Sequence, residues 1–160
     1  SMKVTIAAVG TKMPEWVEQA CNEYKKRMVG ICRLEFIEIS ALRRTKNADL
    51  ARIAEKEAGA IEHKISQIPV VIALDRNGKT VTTEAFAARL QNWVDEAQNV
   101  ALVIGGPEGL SAEFLNNSSE CWSLSAMTMA HPVARVMLAE QVYRAWSINT
   151  GLPYHRANTF

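Results

Sequence analysis

Residues 100–110, VALVIGGPEGL, join a strand-like run to a glycine-rich loop. The first five residues, VALVI, are continuously apolar, which is typical of a strand buried on both faces of a parallel sheet. A second run of this kind, PVVIAL, covers Pro69–Leu74. Strands buried on both faces need helices on both sides of their sheet, so these runs predict an α/β fold.

Alternating strand and helix patterns fill the rest of the chain. Strand-like runs cover Lys3–Val9, Leu34–Ile39 and Cys121–Ser125, and DRNG at Asp75–Gly78 has turn chemistry. The spacing of apolar residues predicts helices from Pro14 to about Met28 and at Ala48–Lys64, Thr83–Gln98, Ser111–Asn117 and His131–Thr150. Because no linker or repeat interrupts this alternation, we expect one domain over residues 2–160 with a largely parallel sheet. We interpret Ser1 as an expression remnant.

The composition restricts the class of protein. With 160 residues, 48% hydrophobic and 22% charged, the chain suits one compact soluble domain and not a disordered segment. Its 18 basic and 17 acidic side chains give a net charge of +1, so any contact with nucleic acid needs a local basic cluster. No apolar run approaches the ~20 residues that span a bilayer, and no signal pattern is present. We therefore expect a cytoplasmic protein that does not contact a membrane.

The three cysteines do not suggest a metal site. Cys21, Cys32 and Cys121 lack the paired spacing of zinc ligands and are odd in number. Reduced thiols in the core of a cytosolic protein are the simpler interpretation. We expect no disulfide and no metal.

The last predicted helix is apolar on most sides. A helix of this kind is buried on most sides, and a small domain offers one sheet face to cover it. The pattern favours a partner subunit on another face, and we expect a homodimer. Its apolar residues are Val133, Val136, Met137, Leu138, Val142, Tyr143, Trp146 and Ile148.

Three strand ends are candidate ligand sites, because open α/β sheets bind ligands at the carboxyl ends of their strands. They are Leu74–Asp75, Ile104–Gly106 and Leu124–Ser125. The GGPEGL loop lacks the Walker ending and the dinucleotide spacing, and it fits a tight turn as well as a ligand-binding loop. The segment WSLSAMTM, at Trp122–Met129, fits an ordinary strand and loop or a set of backbone amides for an adenine ring.

The tail sequence GLPYHR, at residues 151–156, is the most suggestive stretch. Tyrosine, histidine and arginine together offer a stacking ring, a group that titrates near neutral pH and a partner for phosphate. The alternative is a disordered tail. Arg144 could point to the same region. Arg43, Arg44 and Lys46 form a basic stretch that fits a solvated loop or a contact with RNA phosphate.

Five ordered motifs resemble the RlmH type of ribosomal RNA methyltransferase in the SPOUT superfamily. The resemblance covers Met2–Arg156, and residues 157–160 extend beyond the usual ending of the family. The motifs are VGTKMPEWV at Val9–Val17, IGGPEGLS at Ile104–Ser111, WSLSAMT at Trp122–Thr128, AHPVARVMLAEQVYRAWSI at Ala130–Ile148 and PYHR at Pro153–Arg156.

The resemblance implies a fold, a methyl donor and a substrate. The fold is an α/β sheet with a C-terminal trefoil knot, and family members dimerise through the knotted region. They methylate N3 of a pseudouridine in large-subunit (23S) rRNA within the assembled ribosome. S-adenosylmethionine, the donor, sits in the knot without a metal. The positions that match its contacts are Leu74, Gly105, Leu124, Ser125, Ala126, Met127, Thr128 and Met129, at the three strand ends named above.

The same resemblance suggests roles in catalysis. His155 is our hypothesis for the base that removes the N3 proton, because an unperturbed histidine titrates near neutral pH. Tyr154 would stack on or hydrogen-bond the nucleobase, and Arg156 and Arg144 would hold phosphate or a developing negative charge. Lys12 could join the basic stretch in contacting RNA. In a dimer, the tail of one subunit could complete the donor pocket of the other.

Two other interpretations remain open at this point. One is a ribosome-binding protein of the same fold without catalysis, which the intact PYHR and GGPEG motifs disfavour. The other is an unrelated α/β nucleotide-binding enzyme, which the absence of a Walker or dinucleotide fingerprint disfavours.

Overall fold

The computed structural model describes residues 1–160, and strands alternate with helices along the whole chain. The strands are β1 (Met2–Val9), β2 (Cys32–Ile39), β3 (Val70–Thr80), β4 (Val100–Ile104) and β5 (Glu120–Ser123). The helices are α1 (Glu15–Arg27), α2 (Leu50–Lys64), α3 (Thr83–Asp95), α4 (Ala112–Asn117), α5 (His131–Asn149) and α6 (Tyr154–Ala157). The predicted α/β class is confirmed.

One sheet contains all five strands in the order β2-β1-β4-β3-β5, and every pairing is parallel. Val100 in β4 pairs with Val4 on one side and Val70 on the other, so VALVI lies at the centre. All five residues of β4 are buried, as the continuous apolar run predicts. Because the strands are parallel, their carboxyl ends lie on one edge of the sheet.

Helices cover both faces of the sheet. Helices α1, α3 and α5 share one apolar cluster with the strands, and α2 and α4 share another. Successive residues of a strand point to opposite faces, so Ile6 and Ala8 join the first cluster while Ala7 and Val9 join the second.

Helix α5 is apolar on most sides because it packs between α1 and α3 as well as on the sheet. Leu138, Ala139, Val142 and Ala145 are each 3% exposed or less within a single chain. Their burial needs no partner subunit. The homodimer stays a prediction, and its support lies in the site geometry described below.

The interpretation of Asp75–Gly78 as a turn that ends the strand is wrong. These residues form a bulge within β3, since Leu74 and Lys79 both pair with Trp122 across a shift in register. The Asp75 side chain accepts a hydrogen bond from the Asn77 amide at 3.0 Å, so the turn chemistry is used locally and the strand then resumes. At Gly78 an added Cβ would lie 2.6 Å from the Trp122 carbonyl carbon, so the bulge packs tightly on β5.

Several element ends differ from those expected. Thr82, and not Thr83, caps α3 by accepting a hydrogen bond from the Ala85 amide at 3.0 Å. The strand expected to reach Ser125 ends at Ser123, which leaves the next residues free to form a loop. The tail contains the short helix α6. No helix is both long and apolar enough to span a membrane. The trefoil knot stays a prediction.

Candidate methyl-transfer site

A cavity of about 620 Å³ opens at the carboxyl edge of the sheet. Three loops build its wall: the bulge that begins at Leu74, the loop that follows β4 and the loop that follows β5. The start of α5 closes a fourth side with His131 and Ala134. The three segments that the sequence singled out, two strand ends and the bulge in β3, therefore meet around one space.

Most of the residues expected to hold the methyl donor line this cavity. Ala126 is the exception, since it is exposed and does not belong to the wall. Two local hydrogen bonds shape this loop: the Ser123 hydroxyl donates to the Ser125 carbonyl, and the Ser125 hydroxyl accepts from the Met127 amide, both at 3.0 Å. The expected positions on the wall are Leu74, Gly105, Leu124, Ser125, Met127, Thr128 and Met129.

The loop after β4 admits only glycine at its first position. A Cβ on Gly105 would lie 2.7 Å from the Gly109 carbonyl carbon and 2.8 Å from the Leu110 nitrogen. The loop folds back on itself because the Gly109 amide donates to the Gly106 carbonyl at 2.9 Å. Gly105 has no side chain, so this part of the cavity wall is main chain that a ligand can approach closely.

A polar network around the buried Arg135 supports His131 on the wall of the cavity. Arg135, 4% exposed, donates to the Gly10 carbonyl at 3.1 Å, to Glu38 at 2.5 Å and to Nε2 of His131 at 3.0 Å. A guanidinium keeps its protons, so Nε2 of His131 is the acceptor and the other ring nitrogen carries the proton. Burial, and then the charge of Arg135, lowers the pKa of His131, while a hydrogen bond with the Gly105 backbone opposes this shift.

Sequence reasoning missed this network. A histidine before a proline at a helix start is usually solvated or a cap, and His131 gave no other signal. The spacing of His131 and Arg135 places both on one face of α5, but Glu38 and Gly10 reach them only through the parallel sheet.

A second cluster brings together three of the four predicted catalytic residues. Arg144 donates to Nδ1 of His155 at 3.1 Å, and its guanidinium carbon lies 4.9 Å from the centre of the Tyr154 ring. Glu140, which the sequence did not single out, accepts from the Tyr154 hydroxyl at 2.7 Å and from Arg144 at 2.8 Å. Burial and the hydrogen bond with Glu140 raise the pKa of Tyr154, so its hydroxyl stays protonated. Arg156 is exposed and joins none of these contacts.

The contact with Arg144 decides which nitrogen His155 presents outward. Because Arg144 donates to Nδ1, a neutral His155 ring carries its proton on Nε2. The free side of the ring is then a donor, which suits an oxygen that gains negative charge. To accept a proton through Nδ1, His155 has to release Arg144.

The two clusters lie far apart within one chain. His131 and Arg144 are thirteen positions apart on the straight part of α5, or about 20 Å at 1.5 Å per residue. No residue of the tail cluster lines the cavity. One chain therefore does not bring its own tail residues to the cavity.

The basic stretch after β2 divides into two kinds of residue. Arg43 and Lys46 are exposed, and either can contact a phosphate. Arg44 fits neither the solvated loop nor the phosphate contact expected for it, because it donates to Glu57 at 2.6 Å and to Glu108 at 2.8 Å. Its guanidinium is already saturated by carboxylates from two other segments.

Comparison with known proteins identifies the family. The model of a family described as "Predicted SPOUT methyltransferase" matches residues 2–155. The chain belongs to the SPOUT methyltransferase family. It is 43% identical to a ribosomal RNA large subunit methyltransferase H of Ectopseudomonas mendocina, over 97% of this chain and 100% of that protein. It is 46% identical to a protein of the same name from Thioalkalivibrio sulfidiphilus, over 97% of this chain and 99% of that protein.

The fold of this SPOUT methyltransferase also matches solved structures. A probable methyltransferase from Bordetella pertussis superposes with a TM-score of 0.57 at 16% identity, covering 90% of this chain and 96% of that chain. At that identity the match concerns the fold alone. The family assignment makes the chain an enzyme, which removes the unrelated nucleotide-binding enzyme as an alternative.

Proposed function

We propose that this SPOUT methyltransferase transfers the methyl group of S-adenosylmethionine to N3 of a pseudouridine in large-subunit rRNA. The observation on which this proposal depends most is the cavity at the carboxyl edge, where the bulge in β3 and the loops that follow β4 and β5 converge. Two relatives named for methylation of large-subunit rRNA, 43% and 46% identical, support rRNA as the substrate. We further propose that residues 2–160 act as one domain and work in the cytoplasm, where ribosomes are found.

The wall of the cavity fits the methyl donor. Leu74, Ile104 and Leu124 supply an apolar surface for an adenine ring, and the bare backbone at Gly105 admits close contact. Asp75 places a carboxylate on the wall, which suits a ligand with positively charged groups. Ser125, Met127, Thr128 and Met129 complete the proposed contacts.

When bound, S-adenosylmethionine supplies a methyl group made electrophilic by the adjacent sulfonium. The protein then has to hold the acceptor nitrogen in line and to help remove its proton. The N3 proton of pseudouridine is an imide proton that is largely retained at neutral pH. We assign its removal to His155, with Arg144 alternating between holding Nδ1 and neutralising the charge that develops on the nucleobase. Tyr154, a protonated phenol beside Glu140, orients the base, and Arg156 contacts phosphate.

The distance between the cavity and the tail cluster supports a shared site. If the donor lies in the cavity and His155 acts on the acceptor, the two must come from different chains, because about 20 Å separates them along α5. A homodimer can bring the tail of one subunit to the cavity of the other. Trp16 and Val133, which are 52% and 46% exposed beside the start of α1 and α5, offer apolar surface for such an interface.

The charge of the chain supports an assembled particle as the substrate. A net charge of +1 provides no general attraction for naked RNA. Arg43 and Lys46, with Lys12, provide local contacts only. Recognition of a preformed ribosomal surface by shape, with a few phosphate contacts, suits a protein of this size and charge.

Transfer of labelled methyl from S-adenosylmethionine to ribosomes that lack the modification tests the function. We expect label on N3 of one pseudouridine in assembled ribosomes and none on protein-free rRNA. Label on both substrates would contradict the particle requirement. Label on neither, with donor still bound, would contradict the proposed activity and favour a binding protein without catalysis.

Single-turnover kinetics test the role of His155. We expect His155→Ala to slow methyl transfer roughly 100-fold, as is typical of a lost acid-base group, with donor affinity unchanged. Arg156→Ala is the matched variant, because Arg156 lies next in the tail but outside the cluster, and it should weaken substrate binding instead. A full transfer rate in His155→Ala would contradict the assignment of the base.

A further inference from the structure

A three-membered ion cluster ties the β2–α2 loop to the wall of the cavity. Nη1 of Arg44 donates to Glu57 at 2.6 Å and to the Leu42 carbonyl at 2.7 Å. Nη2 donates to Glu57 at 2.9 Å and to Glu108 at 2.8 Å, and Nε also faces Glu108 at 3.2 Å. Every donor direction of the guanidinium is thereby used on three separate segments of the chain.

The pair of Arg44 and Glu57 is the fixed side of this cluster. Glu57 is 3% exposed on α2, and a buried carboxylate is costly unless it is paired and hydrogen-bonded. It accepts two bonds from Arg44 and one from the Leu42 amide at 2.9 Å. These hydrogen bonds from Leu42 and Arg44 to Glu57 therefore hold the β2–α2 loop against α2.

Glu108 is the side that reaches the cavity. It belongs to GGPEGL and lines the cavity, and its hydrogen bonds with Arg44 lower the pKa of its carboxyl group. The adjacent Gly106 leaves room for the contact, since a Cβ there would lie 2.7 Å from Nη2 of Arg44 and 3.0 Å from Glu57. Arg44 is the only side chain that donates to the Glu108 carboxylate, so the position of this carboxylate depends on that of Arg44.

We propose that Arg44 is a positioning residue for the donor: it fixes GGPEGL through Glu108, using the buried charge of Glu57 as an anchor. This inference rests on the proposed function, because it takes the cavity as the site of S-adenosylmethionine. It gives Arg44 a role distinct from the RNA contacts of its exposed neighbours Arg43 and Lys46. Loss of the cluster should weaken donor binding by releasing the loop, without removing any group that contacts the donor.

Calorimetric titration with S-adenosylmethionine tests the proposal in a variant that avoids a stranded charge. In the double variant Arg44→Met with Glu57→Met, apolar side chains replace the buried ion pair, an exchange that is often neutral for stability. We expect a melting temperature near that of the unaltered protein and a donor Kd raised roughly 10- to 100-fold, as for a misplaced binding group. Arg52 is an exposed arginine on the same helix, α2, and its side chain has no hydrogen-bond partner. Arg52→Met should therefore leave the donor Kd unchanged.

A double-mutant cycle distinguishes a positioning role of Arg44 from a merely structural one. It also keeps a positive charge beside Glu57. Arg44→Lys keeps a positive charge for Glu57 but cannot span both carboxylates. If Arg44 acts through Glu108, Arg44→Lys raises the donor Kd in the unaltered protein and changes it less than about twofold in a Glu108→Ala background.

Equal effects of Arg44→Lys in both backgrounds, or an unaltered donor Kd in a folded double variant, would overturn the proposal. The proposed function fails in a different way, since the unaltered protein would then not bind S-adenosylmethionine at all.

Discussion

At the scale of single residues, Gly105 sets the shape of the cavity that we propose holds the donor. Gly105→Ala adds a Cβ against the Gly109 and Leu110 backbone, which cannot rotate away as a side chain can. We expect the loop to shift and the donor Kd, measured by calorimetry, to rise more than about tenfold. Gly59→Ala, in α2 with no atom within 4 Å of its added Cβ, should stabilise the fold by about 1 kcal/mol and leave the Kd unchanged.

An unaltered donor Kd in Gly105→Ala would contradict the placement of the donor against this loop. A destabilised Gly59→Ala would show that α2 does not tolerate the methyl group that the structure accommodates.

His131 makes the free energy of unfolding depend on pH in the mildly acidic range. Burial lowers its pKa in the folded protein, whereas the unfolded chain titrates near the ordinary value of about 6.5. The neutral ring is therefore a source of stability above pH ~6.5, and this contribution is lost as the pH falls below that value. We expect urea unfolding to show a smaller loss of free energy between pH 7.5 and 5.5 in His131→Gln than in the unaltered protein.

His131→Gln serves as the comparison because it removes the imidazole and leaves the other ionisable groups of the chain in place. An identical pH dependence in both proteins would contradict the neutral, buried state of His131.

At the scale of secondary-structure elements, β5 is an edge strand held to α3 by its side chains. Trp122 is 5% exposed, stacks on Trp93 at 6.2 Å and meets Phe86 edge-on at 5.5 Å. Arg89 pairs with Glu120, which also accepts from the Trp122 indole at 3.0 Å. This packing fixes the point from which the loop at Leu124 enters the cavity.

We expect Trp122→Ala to cost about 3–5 kcal/mol in urea unfolding and to weaken donor binding, because β5 loses its contact with α3. Trp122→Phe keeps one aromatic ring but loses the indole N–H and part of the buried ring system, so a smaller cost of about 1–2 kcal/mol should follow. Equal stability of Trp122→Ala and the unaltered protein would contradict this account of the edge strand.

The elements that the sequence predicted well are those whose own residues decide their burial. VALVI and PVVIAL are apolar at every position, and both became inner strands of the sheet. The DRNG bulge could not be distinguished from a terminal turn, because the Asp75 side chain makes the same local hydrogen bond in either setting. Only the pairing of Leu74 and Lys79 with one residue of β5 shows that the strand continues.

The polar networks could not be predicted, because they join residues far apart in the chain. Arg44 and Glu108 are 64 positions apart, and Arg135 and Glu38 are 97 apart. The same limit applied to α5. Four of its eight apolar residues, Leu138, Val142, Tyr143 and Trp146, are buried, Val133 is 46% exposed, and the sequence did not identify α1 and α3 as covering surfaces. The resemblance to the RlmH type of methyltransferase predicted the other site residues. The structure added the distance between the cavity and the tail cluster.

At the scale of the whole molecule, the donor cavity and the tail cluster occupy opposite ends of one helix. Helix α5 starts with His131 at the cavity and carries Glu140 and Arg144 toward the tail. Under the proposed function, a single chain with this geometry binds the donor in one place and prepares the acceptor in another. We therefore propose that two chains assemble each active site.

Co-expression of two differently tagged, inactive variants tests this claim most directly. Gly105→Ala damages the cavity and His155→Ala damages the tail, so each homodimer should be strongly impaired at a donor concentration well below the Kd of Gly105→Ala, while a purified heterodimer retains one site with both halves intact. We predict that the heterodimer recovers about half of the unaltered methyl-transfer rate on ribosomes, as one of two symmetric sites is restored. A heterodimer that forms and remains as inactive as its parents would contradict the shared site and place both halves in a single chain.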